Sequence, residues 1–203
     1  MNKGLFITFE GADGCGKSTQ LALCNEYFQK KGFETLTTLE PGAGKFGKKL
    51  REILLHYDDD VSPISEFFLF LADRAQHIAY TIKPAIEANK IVLCDRHTDS
   101  TLAYQGYARG NDLERLEKLN AIAVDGTIPD LTFVFDVDTE VAAMRVGDEK
   151  DRMESTGLEF HKKVRMGYLE LAKKYPNRIK VIDANKSIEE VFEQVKLVLE
   201  EIL

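Results

Sequence analysis

The chain has 203 residues and a net charge of −7, with 44% of its residues hydrophobic and 30% charged. This length suits one sizeable hydrophobic core, and the composition is that of an ordinary globular protein. The acidic balance argues against a nucleic acid as the dominant partner, because a face that binds a polyanion normally makes its domain basic. No apolar run in the sequence is long enough to span a membrane.

Cysteine use and the N-terminal sequence both bear on the compartment. Cys15, Cys24 and Cys94 follow no metal-ligand spacing, and an odd number of cysteines is typical of free thiols in a reducing environment. Residues 1–4 lead directly into a strand-like run and lack the anatomy of a signal peptide. We therefore expect a cytoplasmic protein.

Strand-like apolar runs alternate with helical patterns along the chain. The pattern predicts strands over residues 5–9, 34–39, 90–94, 131–137 and 179–182. It predicts helices over residues 18–30, 47–55, 63–88, 113–124, 156–174 and 187–203. Continuously apolar strands separated by helices indicate a central five-stranded parallel sheet flanked by helices. Residues 1–203 are therefore expected to form a single α/β domain.

A phosphate-binding loop follows the first predicted strand. Residues 11–18 match the complete pattern G-x-x-x-x-G-K-[ST] between a strand and a helix, as this motif requires. Its glycines let backbone N–H groups turn towards phosphates, its lysine adds a charge, and its serine hydroxyl is placed to ligate Mg²⁺. We expect contacts with a nucleoside triphosphate from Gly11, Ala12, Asp13, Gly14, Cys15, Gly16, Lys17, Ser18 and Thr19.

Polar residues also follow the third predicted strand, at the sheet edge where ligands of parallel sheets bind. Asp95 ends the run Ile-Val-Leu-Cys and is placed to hold Mg²⁺ beside the triphosphate, although a residue that caps the next helix has the same pattern. Arg96 follows directly and is suited to clamp a second phosphate group with two hydrogen bonds.

Two further groups have both a functional and a structural interpretation. Phe70 and Arg74 stand four residues apart and share a helix face, which suits stacking on a nucleobase and also suits a core aromatic beside a solvated arginine. Four polar residues follow Arg96, and they either bind the edge of a base and its sugar or simply form the polar start of a helix. They are Ser100, Thr101, Tyr104 and Gln105.

A polar, charged segment over residues 145–156 interrupts the apolar periodicity. Arg145, Lys150 and Arg152 make it a candidate lid that closes over a transferring phosphoryl group and neutralises its charge. Acidic residues in the same segment are equally typical of a solvated loop. They are Asp148, Glu149, Asp151 and Glu154.

In combination, these stretches resemble the thymidylate kinase family of phosphate-loop nucleoside monophosphate kinases. The resemblance is carried by residues 9–20, 40–42, 70–77, 95–106, 129–132 and 151–154, in family order over nearly the whole chain. It implies a P-loop NTPase fold and the transfer of a phosphoryl group from ATP, with Mg²⁺, to dTMP, giving dTDP for dTTP biosynthesis. It also implies a homodimer.

The resemblance implies a role for each matching residue. Catalytic roles fall on Lys17, Asp13, Arg96 and Arg152, and metal binding falls on Ser18 and Asp95. The dTMP site would comprise Asp13, Phe70, Arg74, Arg96, Ser100, Thr101, Tyr104 and Gln105. For ATP, Arg145, Ala184 and Asn185 join the phosphate loop.

This sequence departs from the family pattern at three places. Gly14 stands where some members carry a catalytic arginine in the loop, so the chain resembles the bacterial type with a basic lid. Residues 147–148 read Gly-Asp where a second lid arginine followed by glycine is common, which leaves Lys150 or Arg152 as the lid cation. Leu39 replaces an arginine that often precedes Glu-Pro-Gly.

Three alternative functions share part of this sequence pattern. A guanine-nucleotide switch requires the motif Asn-Lys-x-Asp, and residues 185–188 begin that way but end in Ile188, which has no carboxylate to read guanine. A kinase for another acceptor, such as dUMP, dCMP or a deoxynucleoside, remains an alternative. A non-catalytic binding module is disfavoured by the intact Lys17, Ser18, Asp95 and Arg96.

Overall fold

The computed structural model describes residues 4–57, 61–146 and 157–202. Its five strands are β1 (Leu5–Glu10), β2 (Thr35–Leu39), β3 (Ile91–Asp95), β4 (Leu131–Asp136) and β5 (Ile179–Asp183). All pair in parallel in the order β2-β3-β1-β4-β5, which confirms the predicted five-stranded parallel sheet.

Helices connect the strands. They are α1 (Lys17–Lys30), α2 (Gly44–His56), α3 (Pro63–His77), α4 (Lys83–Glu87), α5 (Thr98–Thr101), α6 (Leu113–Val124), α7 (Thr139–Val146), α8 (Leu158–Lys174) and α9 (Ile188–Ile202). Two π-helical segments, Ile78–Ile82 and Leu102–Ala108, continue α3 and α5. None of the helices described is long and apolar enough to cross a membrane.

Residue chemistry explains several of these boundaries. The Ser62 side chain accepts a hydrogen bond from the backbone N–H of Ser65, and Pro63 occupies the first turn, so α3 begins there. Asp112 caps α6 in the same way, accepting from two backbone N–H groups. The helix α7 was not predicted, because its eight residues are too few to show helical periodicity.

The hydrophobic core covers both faces of the sheet, because successive side chains of a strand point to opposite faces. Phe6 of β1 packs on one face with the Ile78–Ile82 segment, and Ile7 packs on the other with α1 and α9. Residues from α8 and the Leu102–Ala108 segment pack beside Val134 of β4. Each large side chain buried in this way contributes roughly 1.5–3 kcal/mol.

The strand register places the functional segments at one edge. Phe9 and Leu39 both lie level with Asp95, and Asp136 lies level with Asp183. The chain order reverses beside β1, where β3 lies on one side and β4 on the other. In open parallel sheets the ligand crevice lies at this point, beyond the carboxyl ends of the strands.

Candidate active site

The phosphate loop curls tightly between β1 and α1. Gly11 has a φ of 140°, and a Cβ added there would lie 2.8 Å from the backbone oxygen of Phe135, so only glycine fits without strain. Gly16 adopts a left-handed conformation at the start of α1. The loop therefore has the backbone geometry that points N–H groups inward.

Lys17 is buried and lies across the loop. Its Nζ donates to the backbone oxygens of Gly11 at 3.1 Å and Ala12 at 3.0 Å, and it lies 3.9 Å from Oδ1 of Asp13. Burial acts to raise the pKa of Asp13, but the charges of Arg96 and Lys17 outweigh it and hold that pKa below its usual value. The loop thus presents an ionised carboxylate beside two cations.

Ser18 and Asp95 lie together at the base of the loop. The Ser18 hydroxyl donates to Oδ2 of Asp95 at 3.1 Å. Oδ1 of Asp95 is buried and has no hydrogen-bond partner among the described residues. A hydroxyl and a carboxylate with a spare oxygen are the hard oxygen ligands that Mg²⁺ prefers, so this pair fits the ion.

Arg96 connects the loop to the segment after β3. It has a φ of 67°, and its guanidinium pairs with the Asp13 carboxylate. It also donates to the hydroxyl oxygens of Tyr104 at 3.1 Å, Ser100 at 3.2 Å and Tyr168 at 3.3 Å. These partners hold one cation at the centre of the strand-end crevice.

Glu10 lies beneath Arg96 and is fully buried. Its Oε2 accepts hydrogen bonds from the hydroxyls of Ser100 at 2.5 Å and Tyr168 at 3.1 Å, which in turn accept from Arg96. Burial, followed by the charge of Asp99, raises the pKa of Glu10 to about 7. Sequence reasoning assigned no role to Glu10 or Tyr168. Glu10 lies within the matching residues 9–20 but outside the phosphate-loop pattern, and Tyr168 lies on a distant helix that carries no motif.

A cavity beside Arg96, here called the Phe70 cavity, collects every residue predicted to bind dTMP. It is lined by Asp13, Glu40, Pro41, Arg51, Leu55, Phe70, Arg74, Arg96, His97, Ser100, Thr101, Tyr104 and Gln105. The eight predicted residues come from the loop, α3, the connection after β3, α5 and the π-helical segment after α5, so the fold brings distant positions to one place.

Arg74 lines the Phe70 cavity and is almost fully buried. Four of its five N–H groups donate to Oε2 of Glu40 (2.9 Å), Oγ1 of Thr101 (3.0 Å), Oδ1 of Asn120 (2.5 Å) and the backbone oxygen of His97 (3.0 Å). Burial opposes ionisation of Glu40, but the charges of His97 and Arg74 hold its pKa well below the usual value. Within the described part of the chain, one N–H of Arg74 remains for a ligand.

A second cavity, the phosphate-loop cavity, lies on the other side of Arg96. It is lined by Asp13, Gly14, Gly16, Lys17, Ser18, Thr19, Leu39, Glu40, Arg51, Asp95, Arg96 and Arg145. Arg145 reaches the backbone oxygen of Ala184 at 3.4 Å, and Oδ1 of Asn185 accepts from the backbone N–H of Asp138 at 3.0 Å. Of the three residues predicted to flank adenine, Arg145 therefore lines this cavity and contacts Ala184, whereas Ala184 and Asn185 are not among its lining residues.

Arg51 on α2 is a functional candidate that sequence reasoning missed. It lines both cavities and donates to the backbone oxygen of Pro41 at 2.8 Å. A Cβ added at Gly42 would lie 2.9 Å from its Cδ, so the glycine of the Glu-Pro-Gly turn leaves room for this side chain. No sequence pattern connects that turn with Arg51, which reaches it only through the packing of α2.

The remaining predicted lid residues, Lys150 and Arg152, lie outside the described residues, so their roles stay predictions. Of the predicted lid segment 145–156, residues 145–146 are described and residues 147–156 are not.

Comparison with known proteins gives the family. A family model described as thymidylate kinase matches residues 9–195. A thymidylate kinase of Gloeobacter violaceus is 44% identical over 196 residues, covering 95% of this chain and 92% of that protein. One of Pelotomaculum thermopropionicum is 46% identical over 205 residues, covering 99% and 95%.

A solved structure agrees with these relatives. The crystal structure of thymidylate kinase from Ehrlichia chaffeensis superposes with a TM-score of 0.81 and 36% identity, covering 97% of this chain and 98% of that one. The chain belongs to the thymidylate kinase family.

Proposed function

We propose that this chain transfers the terminal phosphoryl group of ATP to dTMP with the residues of the two adjoining cavities. One observation carries the assignment of residues. All eight predicted dTMP residues line the Phe70 cavity, and that cavity shares four residues with the phosphate-loop cavity, namely Asp13, Glu40, Arg51 and Arg96. Two nucleotides bound in these cavities would meet with their phosphates at the shared residues.

The acceptor would lie in the Phe70 cavity. Phe70 offers a ring for stacking on thymine, while Arg74, Thr101 and Gln105 offer polar groups to its edge. The hydroxyl of Tyr104 donates to Asp13 at 3.2 Å, which supports the ring at the wall of the cavity. If this ring lies against the sugar of the acceptor, as the family resemblance implies, it would clash with a ribose 2′-hydroxyl, and the site would favour a deoxynucleotide.

The acceptor phosphate would lie against Arg96 and Arg51, with Ser100 supporting Arg96 through its hydroxyl. A phosphate oxygen of dTMP is already anionic, so no strong base is needed to activate it. Catalysis by this chain then consists of in-line positioning and charge neutralisation. Asp13 holds Arg96 in place through an ion pair and so supports both the positioning of the acceptor phosphate and the neutralisation of its charge.

The donor would lie in the phosphate-loop cavity. Its phosphates would receive the loop N–H groups from Gly11 to Thr19 and the charge of Lys17, and its adenine would lie between Arg145 and the Ala184–Asn185 backbone. Ser18 and Asp95 would hold Mg²⁺, which supplies charge neutralisation at the phosphates when bound. The loop has Gly14 instead of an arginine, so Arg152 or Lys150 would supply the remaining cation.

We also infer a homodimer in the cytoplasm. A stripe on α3 is exposed at positions spaced three or four residues apart, namely Ile64, Phe68, Ala72, Ala75 and Ala79 where the helix continues. Phe68 is 51% exposed, and an exposed apolar stripe of this length is typical of a surface that a second copy covers. Light scattering of the wild type and Phe68→Glu tests the dimer, since a monomeric wild type would contradict it.

The three buried free thiols support the proposed cytoplasmic location, because free thiols are typical of a reducing compartment.

The substrate assignment is tested by ADP release with dTMP, dUMP, dCMP or thymidine as acceptor, with ATP or GTP as donor. The proposal expects the highest kcat/KM for dTMP with ATP. Preference for another acceptor would overturn the substrate and leave the reaction class intact. Turnover of GTP with no acceptor would favour the switch alternative instead.

A further inference from the structure

Glu66 lies on α3 behind the wall of the Phe70 cavity and is fully buried. Its Oε1 accepts a hydrogen bond from Nε2 of Gln105 at 3.2 Å. Arg109 pairs with both carboxylate oxygens, through Nη1 at 3.2 Å and Nη2 at 3.3 Å. A buried carboxylate thus contacts the amide of a cavity residue without lining the cavity itself.

The backbone of Gln105 is held independently of Glu66. Its carbonyl oxygen accepts from the side-chain amide of Asn111 at 2.6 Å and from the backbone N–H of Asn111 at 3.3 Å. Only 3% of Gln105 is exposed, so its side chain has little space to move. The important remaining freedom is a half-turn of the terminal amide, which exchanges its oxygen and nitrogen.

Glu66 determines the outcome of that half-turn. A carboxylate paired with an arginine offers only acceptors, whereas an amide has a donor end and an acceptor end. With Nε2 towards Glu66 the contact is a hydrogen bond, but after a half-turn Oε1 of Gln105 would face Oε1 of Glu66. Two acceptors in contact in a buried setting repel each other, and Nε2 of Gln105 would lose its hydrogen bond to Glu66.

The orientation of this amide bears directly on which pyrimidine can bind. Thymine presents an N3–H donor beside the O4 acceptor, and cytosine presents the reverse, an N3 acceptor beside the N4 amino donor. An amide pairs with either edge, in opposite orientations. A glutamine that is free to turn would therefore accept both bases.

We propose that Glu66 is a specificity-determining residue, which fixes the amide of Gln105 so that Oε1 accepts from N3–H of thymine and cytosine is rejected. This inference rests on the proposed function, because it takes a pyrimidine monophosphate as the occupant of the Phe70 cavity. Glu66 acts as a positioning residue, since its carboxylate contacts Gln105 and not the base.

The test is the ratio of kcat/KM for dTMP to kcat/KM for dCMP, which does not depend on the fraction of enzyme that is folded. In Glu66→Gln the new amide can donate or accept, so both orientations of Gln105 are allowed. Sites that leave a polar group unpaired with the wrong substrate discriminate by about 10⁴- to 10⁵-fold, and we expect the ratio to fall at least tenfold. The KM for ATP should stay near its wild-type value.

Two further variants assign the effect to the amide. Gln105→Leu should lower the ratio as Glu66→Gln does, and the double variant should be no lower than Gln105→Leu alone, because both act through one amide. The matched control is Arg109→Lys, which alters the ion pair but keeps a carboxylate facing Gln105. Its ratio should stay within about threefold of the wild type.

The outcomes separate this inference from the proposed function. A wild-type enzyme without preference for dTMP over dCMP would contradict the proposed substrate. A wild-type preference that survives unchanged in Glu66→Gln, or that falls equally in Arg109→Lys, would overturn the role of Glu66 alone. If Glu66→Gln does not fold, Glu66→Asp replaces it, since it draws the carboxylate back by one methylene, and an unchanged ratio there would overturn the role equally.

Discussion

Asp13 in the phosphate loop and Arg96 after β3 form an ion pair, and each of the two side chains lines both cavities. The pair therefore lies where the phosphates of the two substrates would meet. It joins the loop that would bind the donor to the segment that would bind the acceptor. Replacing Arg96 should thus affect the acceptor and the chemical step more than ATP binding.

Arg96→Lys keeps the charge but loses the planar fork that contacts Asp13 and the hydroxyls of Ser100, Tyr104 and Tyr168. We expect kcat/KM for dTMP to fall about 100-fold, while KM for ATP changes little. Steady-state kinetics with each substrate varied measures both, and Arg115→Lys on the exposed face of α6 is the control. A rise in KM for ATP alone would contradict this role.

Glu10→Gln should change how stability depends on pH. The pKa of Glu10 is raised from 4.5 to about 7, so between these values the folded protein holds a proton that the unfolded chain has released. The wild type therefore loses stability as the pH rises through this window, by on the order of 3 kcal/mol from this group. Glutamine does not titrate, so Glu10→Gln should not show this loss of stability with rising pH.

Chemical denaturation from pH 4.5 to 8 measures the difference between the two proteins. The free energy of unfolding of the wild type, relative to Glu10→Gln, should fall steadily across the window and level off above it. Glu87→Gln, at an exposed position on α4, is the matched control and should follow the wild type. A constant difference between wild type and Glu10→Gln would show that Glu10 has an ordinary pKa.

Much of this site could be predicted from the sequence, because its residues follow strand ends directly. Asp95 and Arg96 come after an apolar run whose carboxyl end had to lie beside the phosphate loop in a parallel sheet. Arg51, Tyr168 and Glu66 could not be predicted, since each lies on a helix and reaches the site only through packing of that helix.

The position of Arg74 shows a different limit. Helical spacing correctly placed it near Phe70 in one cavity. The sequence does not show, however, that Glu40 from the turn after β2 and Asn120 from α6 converge on its guanidinium. The π-helical segment that carries Tyr104 and Gln105 was also not predicted, since a wider helical turn has no separate apolar period.

Asp95→Asn should weaken Mg²⁺ binding without removing ATP binding. The variant loses a negative charge next to the Ser18 hydroxyl, and the unpaired Oδ1 is the oxygen left for the ion or its water. We expect the free Mg²⁺ concentration for half-maximal rate to rise about 10- to 100-fold. Calorimetric titration of Mg²⁺ into the ATP-loaded variant checks affinity apart from turnover, with Asp125→Asn as the control. Unchanged affinity would remove Asp95 from the metal site.

The lid cation can be assigned by comparing Arg152→Ala with Lys150→Ala. Gly14 leaves the phosphate loop without an arginine, so a cation from residues 145–156 has to balance the charge that spreads over the transferring phosphoryl group. An arginine in this position contributes about 10³-fold or more to kcat, and we expect Arg152→Ala to show such a loss with KM values little changed. Lys150→Ala should lower kcat less than tenfold, because lysine lacks the fork that binds two phosphate oxygens.

Single-turnover kinetics isolate the chemical step, and Lys163→Ala on the exposed face of α8 is the control. The reverse order of losses would assign the cation to Lys150. Normal single-turnover rates in both variants would show that neither residue supplies it and would shift that role to the cations that line the cavities, such as Lys17, Arg51 and Arg96.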